Sequence, residues 1–466
     1  MLERAEIGQL VGKFYVSATA FHFQRCLLES GESGIGSHLN SMKPFSFIHA
    51  ADLHLDTPFT GISKVNPILQ PILQNASLTA FDNLIQVAIA RKVNFVVFAG
   101  DIYDGVEHGI RAQDRFLQGL RRLDEHGIWS LFIHGNHVPL EEGWSALRPE
   151  DFPPKAVRFD QWDQVRAVPI MSDGETVAIV HGISFRKKAE TRNLSLEFPK
   201  QRCDRLFHVG MLHCNVGGQT GHDNYAPCTV DDLRSRAIDY WALGHIHERT
   251  LLNASDPVVL YPGNLQARRF DESGPKGCTF VQIDSFGHTT MEMIESDVVR
   301  FVRFDIDIDG LTSVNEILNA CDSQTKEAIT KAERRTLVSR ISLRGETSAH
   351  GDLLKAEAQG GLLDTFQERL QFDRFWLDSV TIKTRPLLNR SEVARSGAFE
   401  GALVRLTDAL QASDEELAQL TEVIKAPLMK RCRFDDLLPK LEPAEIRAVI
   451  QQAESRLLGL LDIEET

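Results

Sequence analysis

Five short motifs carry side chains able to hold metal ions: Asp52-Leu53-His54, Gly100-Asp101, Gly135-Asn136-His137, His213 and Gly244-His245-Ile246-His247. Twelve of the sixteen histidines fall between His49 and His247, so imidazole is concentrated in the stretch that holds these carboxylates. Carboxylate, imidazole and one amide oxygen together suit borderline-hard divalent ions such as Mn²⁺, Fe²⁺ or Zn²⁺. Seven candidate ligands, Asp52, His54, Asp101, Asn136, His213, His245 and His247, exceed what one tetrahedral ion can take. They suit two ions about 3.5–4 Å apart. One carboxylate must then be shared, and Asp101, tightly placed by Gly100, is the natural choice. Two such cations stabilise in-line displacement at phosphorus by clamping the attacking and leaving oxygens. Each motif alone is ordinary turn chemistry. Their order and their setting make the set informative.

That setting is a series of strands. Phe45–Ala51, Asn94–Ala99 and Trp129–His134 are short apolar runs, separated by helix-period segments near 76–91 and 110–126. The β-α-β-α-β rhythm predicts a layered α/β core. Further strands are expected at 177–185, 205–212, 240–243, 258–261, 278–284 and 289–295, with less helix between them. The later sheet should therefore be mixed or antiparallel, and two sheets packed face to face with helices outside fit the pattern. Every motif follows an apolar run, which gathers the ligands on one sheet edge, where open α/β sheets place their sites. On an extended segment Asp52 and His54 would share a face, as would His245 and His247, because strand residues i and i+2 point the same way.

Near residue 300 the character changes. Phe301–Ile308, 336–343 and 374–384 read as strands, and 313–332 and 350–371 as helices, which makes a small α/β unit. After Pro386 only amphipathic stretches remain, near 391–411, 415–430 and 443–461. Leu403, Leu406, Leu410, Leu417, Leu420 and Ile424 give them apolar stripes. The expected organisation is an extension at 1–41, poorly ordered and dispensable for folding and activity, then a metal-binding domain at 42–299, the α/β unit at 300–386, and a helical tail at 387–466.

Composition narrows the classes. With 466 residues, 42% hydrophobic and 25% charged, the chain reads as globular and multi-domain. No apolar run approaches the roughly 20 residues of a membrane-spanning helix. Seven cysteines without a CxxC pair exclude a disulfide framework or zinc ribbon and point to a reducing cytoplasm. A net charge of −14 excludes nucleic-acid binding by bulk charge, so such a partner must be held locally.

The series DxH, GD, GNH, H, GHxH resembles the calcineurin-like metallophosphoesterase superfamily. FIHAADLHLDTPF, FVVFAGDIYDG, IHGNH, GMLHCN, ALGHIHER and YPGNLQARR, over about residues 45–285, resemble the bacterial DNA-repair exonucleases of the SbcD and YhaO type. The resemblance implies a two-layer β-sandwich flanked by helices and a dinuclear, usually manganese, centre. Carried over by motif, Asp52, His54 and His247 would hold one ion; Asn136, His213 and His245 the other; and Asp101 would lie between them. His137 would be the non-ligand histidine that stabilises the phosphate or acts as acid. The implied reaction is phosphodiester hydrolysis in DNA, typically stepwise from a 3′ end. The 300–386 unit resembles a capping domain in position, and the 387–466 tail is then either a dock for an SMC-like coiled-coil ATPase or a helical appendage packed on its own core. The implied partners are DNA, that ATPase and a second copy of the chain, with no membrane.

Two departures stand out. Val138 follows His137 where the family commonly has Asp, an acid that orients histidines, so either activity is weakened or another carboxylate such as Glu141 or Glu142 substitutes. Asp104 stands where archaeal relatives carry His. Other residues have plainer readings: His49, His134, His181 and His208 as structural, Cys214 as a strand neighbour pointing away from the site, and Arg186-Lys187-Lys188 as a solvated face. Arg268 and Arg269 follow Tyr261-Pro262-Gly263-Asn264 and are expected to contact phosphate, so neutralising them should weaken DNA binding and its salt dependence. Two other classes use the same residues: a phosphoesterase for nucleotides or phosphoproteins, and a non-catalytic subunit that binds DNA ends or an ATPase.

Overall fold

The computed structural model describes residues 42–62, 67–104, 109–141, 147–219, 221, 223–429 (424–429 by backbone only) and 442–461. The expected extension at 1–41, Glu142 and the Ile424 side chain lie outside the described residues. The chain forms two compact units. Of the described residues, one comprises those within 42–55, 81–265 and 277–294; the other comprises those within 56–80, 266–276 and 295–461.

The first unit holds two six-stranded sheets. In one, β1 (Phe45–Ala50), β2 (Phe95–Ala99), β3 (Trp129–Ile133) and β4 (Ala156–Arg158) run parallel, and the later β11 (Gly277–Ile283) pairs antiparallel to β1 with β12 (Thr289–Glu295) outside it. In the other, β6 (Glu175–Gly182), β7 (Phe207–His213), β8 (Tyr240–Gly244) and β10 (Val258–Tyr261) run parallel. Antiparallel β5 (Arg166–Ser172) and β9 (Thr250–Asn253) close its edges. The parallel strands are almost uninterrupted apolar runs because both of their faces are covered. Phe47, Phe95, Val97 and Leu131 of one sheet meet Val209, Met211, Tyr240 and Leu260 of the other in a shared core. Outside the first sheet, helix Ile110–Glu125 sends Phe116 against Phe98 and Phe132, with ring centroids 5.5 and 5.4 Å away. The later sheet is mixed, as expected, with its parallel part in the centre.

In the second unit, β13 (Val299–Asp307), β14 (Thr336–Thr347) and β15 (Phe375–Pro386) form a parallel sheet. Helices Val314–Ala332, His350–Ala358 and Leu362–Arg369 cover the face that carries Phe304, Ile306, Ile341 and Leu343. Ser313 caps the first helix by accepting from the Glu316 amide. The single helix expected at 350–371 is two, because Gly360 adopts φ +75° and ends the first. The tail forms helices Arg390–Arg395, Phe399–Ala412, Asp414–Met429 and Pro443–Leu460. Its last helix packs on its own unit. The two ring nitrogens of buried His350 reach Thr384 Oγ1 at 2.7 Å and the Ser455 carbonyl at 2.9 Å, and Arg390 donates to Glu454. The inward face of Phe399–Ala412 is Gly401, Val404, Thr407 and Leu410, so Leu406 of the expected stripe faces out. Among the described residues no helix is long and apolar enough to cross a membrane.

Candidate metal centre

The ligand candidates leave the carboxyl ends of adjacent strands. Asp52 and His54 follow β1, Asp101 follows β2, Asn136 and His137 follow β3, His213 ends β7, and His245 and His247 follow β8. The sheets converge here without a pleat to aim the side chains. Asp52, His54, Asp101 and His245 have φ of 50°, 43°, 47° and 103°, all left-handed. The extended-segment reading of Asp-x-His is therefore corrected. Backbone reversal, which costs on the order of 1–3 kcal/mol per residue, does the aiming. Backbone bonds hold the reversal in place: Asp52 N to Gly100 O at 3.2 Å, His54 N to Asp101 O at 3.0 Å and Leu55 N to Ile102 O at 2.9 Å.

Three donor triads result among the described residues: Asp52, His54 and His247; Asp52, Asp101 and His213; and His54, Asp104 and His137, each with its donor atoms within 4.8 Å of one another. His54 Nε2 and His247 Nε2 are 3.2 Å apart. His213 Nε2 lies 3.1 Å from Asp101 Oδ2 and 3.0 Å from Asn136 Oδ1. His213 Nδ1 sits 2.9 Å from the Ala99 carbonyl, which can only accept, so Nδ1 carries the proton. The Nε2 lone pair of neutral His213 then faces two oxygen acceptors. Three acceptors converging on one point need a cation or an extra proton between them, and this donor chemistry fits a divalent ion. By the same logic His245 Nε2 donates to the Asp223 carbonyl at 2.8 Å and leaves Nδ1 as its donor atom. His245 adjoins the cage, with its ring centroid 5.3 Å from that of His213 and its amide 3.0 Å from Asp52 Oδ1, but it stands outside all three triads.

The charges are tuned against each other. Burial pushes the Asp52 carboxyl up, and the charge of Asp101 adds to that, so it sits above the usual carboxylate range despite His213 and His247. Asp101 is buried too, yet the charge and hydrogen bond of His213 hold it well below that range. Burial opposes the charged form of His213, but Asp101 prevails and its pKa rises to about 9. A ligand histidine must be neutral. Metal uptake at pH 7 is therefore expected to expel close to one proton, and affinity should rise about tenfold per pH unit from 7 toward 9. Calorimetry in buffers of different ionisation enthalpy checks this; an affinity flat over that range would refute it.

The histidines read as structural are occupied. Burial lowers His49 to about 3, and its ring takes the Tyr240 hydroxyl at 3.0 Å and the Leu243 carbonyl at 3.1 Å. His134 Nδ1 donates to the Val138 carbonyl at 2.8 Å. His181 and His208 bond each other at 2.8 Å. Cys214 is buried in the apolar layer outside the second sheet, next to Cys228. Arg268 and Arg269 lie in the second unit; the Arg268 amide donates to Glu272 at 2.8 Å, and the Arg269 guanidinium pairs with Asp271 at 3.1 Å. Glu141 pairs with Arg186 rather than with His137. The acid that touches His137 Nδ1 is Asp104, three residues after Asp101, which the sequence offered only as a departure from archaeal relatives.

A family model for calcineurin-like phosphoesterases matches residues 45–249, and one for the middle domain of metallophosphoesterase YhaO matches residues 301–385. The chain is 31% identical over 427 residues to the metallophosphoesterase YhaO of Bacillus subtilis (strain 168), covering 90% of this chain and 98% of that protein. The chain belongs to the YhaO family of calcineurin-like metallophosphoesterases. More distant similarity reaches the DNA double-strand break repair protein Mre11 of Thermoplasma acidophilum, 25% identical over 74% of this chain and 86% of that protein. The Mre11 of Methanocaldococcus jannaschii is 23% identical over 59% of this chain and 72% of that protein. This metallophosphoesterase is thus a hydrolase of a class built on a dinuclear divalent-metal centre, and the structure brings candidate ligands for such a centre together in Asp52, His54, Asp101, His213 and His247.

Proposed function

We propose that this metallophosphoesterase is a Mn²⁺-dependent DNA exonuclease acting in repair. The observation that carries the hydrolytic part is the pair of donor triads sharing Asp52. The choice of DNA is supported by the Mre11 relatives, which are named for double-strand break repair, and by an α/β unit and helical tail that a small-substrate enzyme does not need. Asp52, His54 and His247 would hold one ion, and Asn136, His213 and His245 the other, with Asp101 shared. Two such ions supply Lewis-acid neutralisation of phosphate charge and acidify water. The chain's own part is to fix these donors, and to present His137 to the phosphate or its departing oxygen. Arg268 and Arg269 are the proposed DNA contacts. Phe399, Leu406 and Val423, all exposed, suit the tail to a coiled-coil ATPase, with a second copy of the chain and a cytoplasmic setting completing the reading.

The test is incubation with end-labelled duplex DNA and, separately, bis(p-nitrophenyl) phosphate, with Mn²⁺ or Mg²⁺, beside His137→Ala. Manganese-dependent shortening of DNA that His137→Ala slows by at least about 100-fold is the expected result. Turnover of the small diester with intact DNA would move the enzyme to small substrates, and metal uptake with neither activity would make it a non-catalytic subunit. The partner surface has its own check. Phe399→Glu should abolish co-elution with an added SMC-like ATPase while diester turnover stays unchanged; co-elution that survives removes this surface from the reading.

A further inference from the structure

We infer that an aromatic pocket beside the metal cage takes the base of the nucleotide whose phosphate the cage holds. This rests on the nuclease reading above. The pocket encloses about 110 Å³ and shares Asp101 with the cage, with Gly135 beside it. Its other walls are largely aromatic. Phe116 and Phe132 have ring centroids 5.4 Å apart, Phe132 and Phe152 5.5 Å, and Tyr103 and Phe116 6.0 Å. An apolar cavity of roughly 150 Å³ takes benzene, so this space suits one planar group and no more.

The sheet sets the polar groups among these rings. β3 and β4 are parallel with Phe132 opposite Arg158, so the two side chains share a face. His134 follows two residues after Phe132, with its ring centroid 6.2 Å from that of Phe132. His134 Nδ1 lies 2.8 Å from the Val138 carbonyl, which can only accept, so Nδ1 carries the proton and Nε2 is a bare acceptor. That Nε2 is buried and has no protein partner. A buried acceptor left unpaired forfeits the bond it would make to water, so this one marks the place of a missing donor. A nucleobase brings such a donor, a ring N–H or an exocyclic amine, on the edge of a plane that stacks on aromatic side chains. Arg158 adds a positive charge that suits a nucleotide over a neutral aromatic compound. Apolar walls with a few convergent polar groups are the usual make-up of a small-ligand site. Because the pocket holds one base alone, the nucleotide must leave its stack to enter.

The test is a binding comparison that needs no turnover. Isothermal titration of the Mn²⁺-loaded chain with dCMP and with 2-deoxyribose 5-phosphate separates the base from the sugar phosphate. The wild type should bind dCMP about tenfold more tightly. Leu147, half-buried, lines the pocket, and Leu147→Trp fills it. This variant should erase the preference while deoxyribose phosphate binding, metal content and melting temperature stay near the wild type. His134→Asn keeps an N–H for the Val138 carbonyl but removes the Nε2 acceptor, and it should cut the preference about fivefold. Equal binding of the two probes by the wild type, or a preference that survives both substitutions, overturns the inference. The nuclease reading fails separately: a chain that leaves DNA intact but prefers dCMP keeps the pocket, and one that shortens DNA without the preference loses it.

Discussion

Asp101→Asn is expected to remove phosphodiester turnover and to cut metal uptake from two ions to at most one. Groups that merely orient a ligand are worth about 10–100-fold. Asp101 contributes its own oxygens beside His213 Nε2 and also holds the His137 amide, so the loss should exceed about 100-fold. Isothermal titration with Mn²⁺ and diester kinetics measure both; two ions bound with near-normal turnover would remove Asp101 from the centre. The metal-free protein should respond as well. The raised pKa of His213, about 9, means that its ion pair with Asp101 stabilises the fold fully below the ordinary histidine value and fades as pH climbs through about 9. The depressed Asp101 works at the other end, its contribution fading as pH falls below the ordinary carboxylate value. At pH 7 the substitution removes that ion pair and is expected to destabilise the metal-free fold. Thermal denaturation in chelator should show a deficit at pH 7 that shrinks near pH 9.5.

Much of this candidate centre is legible in the sequence, for a physical reason. Strands buried on both faces must be apolar throughout, so the polar residue that ends each run is conspicuous: Asp52 after FSFIHA, Asp101 after FVVFA, His213 at the end of FHVGMLH. What escaped depends on pairing across the chain. β4, β5 and β9 are edge strands with half-exposed residues and no continuous apolar signal. The left-handed turns at Asp52 and His54 carry no glycine to announce them, and backbone bonds to the segment after β2 hold them. Asp104 was in view but had no assigned partner, because only the adjacency of β2 and β3 brings it to His137. The break at Gly360-Gly361 and the outward Leu406 are ordinary failures of periodicity to locate a helix end and a packed face.

Gly135→Ala is a sharper probe of the same cage, because it alters no charge and no ligand. A Cβ there would stand 2.4 Å from Asp101 Oδ1 and 2.8 Å from His213 Nε2, inside the space those donors enclose. Gly135 is not among the glycines with positive φ, so its backbone accepts alanine and the effect is steric. Relief requires Asp101, His213 or the β3 turn to move by about 1 Å, and a displacement of that size near reacting groups costs about 100-fold. Overpacking should take about 1–3 kcal/mol from stability. The control is Gly174→Ala, where φ is +81° but no atom lies within 4 Å of the added methyl. It should lose about 1–2 kcal/mol through strain and keep its metal and its turnover. Measured side by side, Gly135→Ala should fall in Mn²⁺ affinity and kcat far more than its stability loss explains, whereas Gly174→Ala should fall only in melting temperature. If Gly135→Ala binds two ions and turns over diester like the wild type, the donors do not enclose a common point and the cage assigned to them is wrong.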